Sequence, residues 1–203
     1  MHRKTRLSLA VGLALGTVAL TAAADNNVTM TESVADGYKS KAFFTVGETI
    51  RKTSGALNPT TAGDYTPVGI LDGLGAYLLD ENTVRVFANH ELLNFRGNAY
   101  EVSDGMGGTF SMTGARVSYF DIDRRSRQIK DAGIAYNTIY DADGNVASDT
   151  SFLANNFAGF SRFCSSVLVE PLQFSGSRGI EDTIYFTGEE DGGFFNSVGG
   201  AEW

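Results

Sequence analysis

Only one cysteine, Cys164, and two histidines occur among the 203 residues of the chain. A single cysteine excludes an intramolecular disulfide and a structural zinc site built from several thiolates. Because His2 falls in the leader described below, His90 is the one histidine of the predicted mature chain, and a multi-histidine zinc centre is excluded too. A metal site would therefore rest mainly on carboxylates, which favour hard ions such as calcium, manganese or ferric iron.

Familiar catalytic motifs are also missing. The sequence has no G-x-S-x-G nucleophile elbow, no Walker A loop, no complete G-x-G-x-x-G and no H-E-x-x-H. A serine hydrolase would have to recruit His90 without a recognisable elbow, and we therefore disfavour that class.

Long hydrophobic runs are confined to the N-terminus. Three basic residues within the first six positions precede an uncharged apolar run at 7–20, and alanines at 22–24 supply the small side chains that a signal peptidase requires. A membrane anchor is the alternative, but the run is shorter than the roughly 20 residues that span a bilayer and contains Gly12 and Gly16. The pattern predicts a signal peptide at 1–24, a mature chain beginning at Asp25, and a secreted or periplasmic protein.

The charge balance is acidic. The net charge of −8 becomes −11 when the leader, with its three basic residues, is removed. Nucleic acids and anionic membranes attract basic patches, so neither is an expected partner. No later segment is long and apolar enough to predict a membrane span in the mature chain. The oligomeric state is left open by the sequence.

The composition favours an all-β fold. Gly contributes 24 residues, Phe 14 and Tyr 8, and no long stretch has helical periodicity. Alternating or apolar runs bounded by turn residues predict strands at 75–79, 84–88, 115–121, 133–138, 166–169 and 183–187. Repeated hairpins at this spacing indicate a sandwich or a β-propeller. We assign 65–203 to this domain and 25–64 to an irregular segment with a possible strand at 42–46.

Acidic residues gather at predicted strand ends. If the strand at 84–88 continues, Asn89 and Glu91 share one face and could present two oxygen ligands, although solvated residues at a strand end give the same pattern. The run Glu189-Glu190-Asp191 follows another strand, and three adjacent acids repel one another unless water or a cation screens them. It is read either as a solvated turn or as a cation site.

The segment Asp141-Ala142-Asp143-Gly144-Asn145 has the opening spacing of a calcium loop. Phe152 stands where such a loop requires glutamate at its twelfth position. We therefore predict a hairpin turn here.

Three stretches taken in order resemble the PhoX-type alkaline phosphatase family, exported β-propeller enzymes that use calcium and iron. They are DGLGAYLLDENTVRVFANHEL at 72–92, RFCSS at 162–166 and YFTGEEDGG at 185–193. The resemblance runs from about residue 65 to the end. Ser165-Ser166 follow the cysteine where the family has Gly-Gly, so the chain resembles a divergent member.

The resemblance implies a metal site and an activity. It makes Glu91 a carboxylate ligand, Cys164 the thiolate ligand of iron, and Glu189 and Glu190 paired carboxylates, with calcium nearby. It implies hydrolysis of phosphate monoesters and a small phosphorylated substrate, whereas a non-catalytic calcium-binding β-propeller module and a β-rich cell-surface structural protein are the alternatives. The strands predicted here would fill only two or three blades, so we expect the 203 residues to form the N-terminal part of a longer functional unit.

Overall fold

The structure is a computed structural model that describes residues 36–38, 40–51, 64–174 and 176–190. The described chain contains eight strands and two short 3-10 turns, with no α-helix in these ranges, and this confirms the all-β prediction. The strands are β1 (Leu71–Asp80), β2 (Thr83–His90), β3 (Tyr100–Ser103), β4 (Thr109–Met112), β5 (Arg116–Asp123), β6 (Ile129–Ile134), β7 (Phe163–Val169) and β8 (Ile184–Glu189). The predicted leader at 1–24 lies outside the described residues.

Three antiparallel sheets form. A four-stranded sheet has the order β1-β2-β5-β6, and β3-β4 and β7-β8 are separate two-stranded sheets. Within the described ranges these sheets close neither into a barrel nor into a propeller ring. Nor does this part of the chain contain a helix of the length and apolarity that a membrane crossing requires.

The central strand β5 is covered on both faces. Phe120 pairs across the sheet with Val86 and Ala132, and all three pack in the larger apolar cluster. Val117 points into a second, smaller cluster that includes Phe163 of β7. Successive side chains of a strand face opposite sides, so the apolar residues at consecutive positions of β5 bury both faces.

Two tight turns form at positions where the sequence has turn residues. Asp80 accepts a hydrogen bond from the Asn82 amide (2.7 Å) and closes the β1–β2 hairpin. The Asp141 carboxylate accepts hydrogen bonds from the amides of Asp143 (3.0 Å) and Asn145 (2.8 Å), and Tyr140 and Val146 form an antiparallel β-bridge. The 141–145 segment is therefore a hairpin turn, as predicted, and its leading carboxylate is used by the backbone.

Some strand boundaries were predicted wrongly. β6 occupies Ile129–Ile134, whereas the sequence predicted 133–138, because the strand starts directly after the β5–β6 turn and Tyr136 leaves the sheet to meet Tyr100. No strand forms at 42–46; Phe44 instead stacks on Phe120 with ring centroids 4.6 Å apart. The two short strands β3 and β4 were not predicted.

The β7–β8 hairpin packs across β1 and β2. The Tyr185 hydroxyl shares its one proton between the Gly73 carbonyl (2.9 Å) and Oδ1 of Asn89 (3.0 Å). A Cβ at Gly73 would lie 2.5 Å from Oγ of Ser166, so the close approach of the two sheets requires glycine here. This packing brings the ends of β2, β7 and β8 together.

Candidate functional site

The site forms around residues 161–163, which precede and begin β7. The Arg162 amide donates to the Leu92 carbonyl (2.8 Å), just beyond β2, and the Arg162 carbonyl accepts from the Glu190 amide (3.0 Å), just beyond β8. Arg162 has a φ of 55°, a left-handed conformation that is uncommon for a residue with a side chain. Its backbone therefore connects the ends of two strands from different sheets.

Two of the predicted metal ligands meet at the guanidinium of Arg162. Nε lies 3.4 Å from Oε1 of Glu91, and Nη2 forms an ion pair with Oε2 of Glu190. Glu91 lies 71 positions before Arg162 in the sequence, so the fold brings the acids together. The cation neutralises part of the negative charge that two neighbouring carboxylates accumulate.

Glu189 is the last residue of β8 and pairs with Phe163 in the ladder. Its Oε1 accepts a hydrogen bond from the Ser161 amide at 2.6 Å. Glu189 thus contacts Ser161, while Glu91 and Glu190 both contact Arg162. Asp191, the third acid of the predicted run, lies outside the described residues.

Cys164 is a half-buried free thiol in β7. It occupies the register shift between the pairs Phe163–Glu189 and Ser165–Gly188. The described residues contain no group of three or more histidine, cysteine, aspartate or glutamate side chains arranged to hold a metal ion. The predicted ligands lie near the end of the hairpin where β7 begins and β8 ends, and Arg162 lies between Glu91 and Glu190.

Asn89 has a different position from the one expected beside Glu91. Its amide donates to the Ser165 carbonyl (3.1 Å) and to Oγ1 of Thr187 (2.8 Å), and its carbonyl accepts from Tyr185 (3.0 Å). The side chain is fully buried between the two sheets. It connects β2 to both strands of the hairpin and so holds the carboxylate-bearing ends in place.

The donor set can be tested against the ions that the family resemblance implies. The three carboxylates supply the oxygen donors that calcium prefers, and the thiolate of Cys164 is a donor for iron. A cation between Glu91 and Glu190 would compete with Arg162 for the same oxygens, so binding requires Arg162 to release at least one of them. The three carboxylates match calcium in donor type only, since the described residues contain no group of three or more such ligands arranged around one ion.

A cavity of about 710 Å³ adjoins this cluster and shares Glu91 and Arg162 with it. Its volume lies in the range of small-molecule sites. Its walls come from four parts of the chain: residues 46–47, residues 66–70, residues 91–93 with 96–98, and Arg162. The Ile50–Tyr65 bridge and a hydrogen bond from the Gly47 amide to the Pro67 carbonyl (2.9 Å) hold the first two walls together.

His90 belongs to a buried hydrogen-bond chain behind this cavity. Its Nδ1 lies 2.9 Å from the Val68 carbonyl, its Nε2 lies 2.6 Å from Oγ of Ser118, and Ser118 in turn meets the Tyr65 hydroxyl at 2.5 Å. A carbonyl only accepts, so Nδ1 carries the proton and Nε2 accepts from Ser118. Burial lowers the pKa of His90 to about 4. With no exposed surface, His90 and Ser118 form a structural pair.

Sequence reasoning identified the acids of this site but assigned no role to its arginines. Arg162 lay inside the RFCSS stretch without being singled out, and its partners Glu91 and Glu190 are distant in sequence. A single arginine two positions before a cysteine gives no periodic or spacing signal. Only the three-dimensional packing reveals it as the counter-ion.

No known protein family, curated protein or solved structure matches the chain.

Proposed function

We propose that the chain is an exported, metal-dependent phosphatase-like protein that hydrolyses phosphate monoesters. The observation that carries the proposal is the convergence of Glu91, Glu189 and Glu190 on residues 161 and 162. These acids come from two of the stretches that resemble the phosphatase family, and the third stretch supplies Arg162 and Cys164. An export signal at 1–24 belongs to the proposal, and a mature mass that begins at Asp25 is its direct check.

The chemistry follows from the donor types. Calcium and iron held by Glu91, Glu189, Glu190 and Cys164 would supply Lewis acidity toward phosphoryl oxygens. The chain itself contributes the carboxylates and fixes the end of β8 through the hydrogen bond from Ser161 to Glu189. Arg162, once released from a carboxylate, is a bidentate donor suited to a phosphate group.

The propeller architecture is also proposed. The four antiparallel strands of the sheet β1-β2-β5-β6 match the number in one blade, and we assign β7-β8 to part of a second. Val167 and Phe186, which pair across the hairpin, are about half exposed, and this supports packing of another sheet on that face. An experimental structure in which β7 and β8 remained an isolated pair would contradict the propeller.

The decisive experiment combines metal analysis and turnover. We expect gently purified full chain to contain calcium and iron and to hydrolyse 4-nitrophenyl phosphate. Glu91→Gln and Glu189→Gln should each lower metal content and turnover by at least about tenfold, because each removes one anionic ligand. Glu181→Gln, at an exposed acid outside the site, is the matched control and should change neither.

Each outcome selects one function. Absence of both metals together with absence of turnover would refute the enzyme. Bound calcium without turnover would select the non-catalytic calcium-binding module.

A further inference from the structure

The cavity beside the carboxylates has apolar walls. Val68 and Leu92 are buried in its lining, while Ile70 and Leu93 expose much of their side chains there. Exposed apolar side chains that line a concave surface are the usual lining of sites for apolar ligand groups. This part of the cavity therefore suits a hydrocarbon or aromatic group.

Two arginines and one glutamate, Glu91, supply the charges of the cavity lining. Arg96 and Arg162 line it, and Arg116 lies directly behind its wall, where Nη2 donates to the carbonyl of the lining residue Asn98 at 2.7 Å. A Cβ at Gly97, another lining residue, would lie 3.1 Å from that nitrogen, so the guanidinium lies close to the cavity wall.

Two of these arginines lack an acidic partner. Arg162 is paired with Glu91 and Glu190, but neither Arg96 nor Arg116 has a carboxylate within 4 Å among the described residues. Arg116 is only 2% exposed. Its guanidinium donates hydrogen bonds to two backbone carbonyls, and its guanidinium carbon lies 4.4 Å from the centroid of the Tyr100 ring. Buried charges are normally paired, and Glu91 and Glu190 are already paired with Arg162, so Arg96 and Arg116 are the positive charges at this cavity without a described carboxylate beside them.

Backbone strain gathers at the same place. Ile70 has a φ of 51° and Arg162 a φ of 55°, and both line the cavity. A β-branched residue in the left-handed region costs free energy, and the structure maintains it with a hydrogen bond from the Glu91 amide to the Ile70 carbonyl (2.8 Å). In this backbone conformation the Ile70 side chain is 59% exposed at the cavity.

We propose that this cavity binds a small organic anion, namely a phosphate monoester with an apolar ester group, with its anionic end toward Arg96 and Arg116 and its apolar group against Ile70 and Leu92. The preference for phosphate as the anion rests on the proposed function, whereas the pairing of one anionic and one apolar end rests on the cavity alone.

Calorimetric titration of the full chain in EDTA tests the proposal without turnover. The probes are inorganic phosphate, 1-naphthyl phosphate and neutral 1-naphthol. We expect 1-naphthyl phosphate to bind at least about tenfold more tightly than either of the others, since it alone carries both groups. Equal affinity of 1-naphthyl phosphate and inorganic phosphate, equal affinity of 1-naphthyl phosphate and 1-naphthol, or no saturation by 1-naphthyl phosphate would each overturn the proposal.

Two variants separate the two ends of the ligand. Arg96→Gln should weaken both phosphates by about tenfold and leave 1-naphthol unchanged. Ile70→Asn should weaken 1-naphthyl phosphate by about fivefold and leave inorganic phosphate unchanged, because asparagine tolerates the positive φ but removes apolar surface. Variants that bind all three probes like the parent chain would overturn the placement of the ligand.

Matched controls lie outside the cavity. Arg125→Gln removes an exposed arginine from the β5–β6 turn, and Leu172→Asn replaces another exposed apolar residue with positive φ (54°). Neither should alter binding. Binding without metal-dependent turnover would refute the proposed enzyme but not the cavity site, while turnover with no preference for the aryl ester over inorganic phosphate would refute the cavity site alone.

Discussion

The charge state of His90 is linked to the fold. It has no exposed surface, and both ring nitrogens have hydrogen-bond partners. Protonation of Nε2 would replace an acceptor with a donor facing Ser118, whose hydroxyl already donates in that direction. Burial also penalises the imidazolium, so the folded protein binds this proton less readily than the unfolded chain does.

This difference predicts a pH dependence of stability. The pKa of His90 is about 4 in the folded protein, below its ordinary value of 6.5, so the unfolded state takes up more protons between these values. Its contribution of about 3 kcal/mol to the free energy of unfolding should be complete above pH 6.5 and should be lost as the pH falls toward 4. Urea denaturation in EDTA at several pH values measures the slope.

His90→Gln provides the comparison. The exposed carboxylates titrate in both proteins, so the difference between the two pH profiles isolates the imidazole. If the variant does not fold, NMR titration of the His90 ring gives its pKa directly. A ring pKa near 6.5, or parallel pH profiles, would contradict the prediction.

The residues of the candidate site were only partly accessible from the sequence. Runs of acids at strand ends are visible as local patterns, and they identified Glu91, Glu189 and Glu190. The counter-ion Arg162 and the buried Arg116 depend on contacts between distant segments, and neither has a periodicity that marks it. Asn89 shows the opposite failure, because alternation singled it out as a ligand beside Glu91, whereas it lies in the interface between sheets that determines its role.

At the scale of the elements, the contact between β1 and the β7–β8 hairpin depends on glycines, which have no side chain. A Cβ at Gly75 would lie 2.8 Å from Cε2 of Tyr185 and 3.0 Å from Cβ of Leu168. We predict that Gly75→Ala lowers the free energy of unfolding by about 1–3 kcal/mol, because the two sheets must separate or Tyr185 must move. Chemical denaturation of the parent and the variant gives the value.

Gly69→Ala is the matched control, because the nearest atom to its Cβ would be 4.0 Å away and its φ is not positive. Its effect should stay within about 0.5 kcal/mol. Equal losses for the two variants would show that the cost comes from glycine itself rather than from the packing of the hairpin.

At the same scale, strand prediction succeeded where an apolar run ended at a strong turn. The predicted strands at 75–79 and 84–88 lie inside β1 and β2, whose turn is fixed by Asp80. β3 and β4 are four residues each and flank a glycine-rich turn, so neither gives a run long enough to recognise. The end of β6 is set by Tyr136 packing on Tyr100, a tertiary contact that overrides the local apolar pattern.

For the molecule as a whole, the three sheets are joined by polar contacts as well as by apolar packing. Asn89 and Tyr185 connect the four-stranded sheet to the hairpin, and Arg162 connects the hairpin to the residues after β2. The cavity and the carboxylate cluster both lie where these connections converge. Their geometry therefore depends on correct docking of the hairpin and not on any one sheet.

The docking of the β7–β8 hairpin also has a kinetic consequence. Its hydrogen bonds to β1 join residues 92 and 112 positions apart, whereas the β1–β2 hairpin is local. Closing long loops costs entropy before contacts repay it, so we expect the hairpin to dock after the folding transition state. Stopped-flow measurements on Gly75→Ala should then show faster unfolding and a nearly unchanged refolding rate, while Phe120→Leu in the central strand should slow refolding. A refolding rate reduced by Gly75→Ala as much as by Phe120→Leu would place the docking in the nucleus instead.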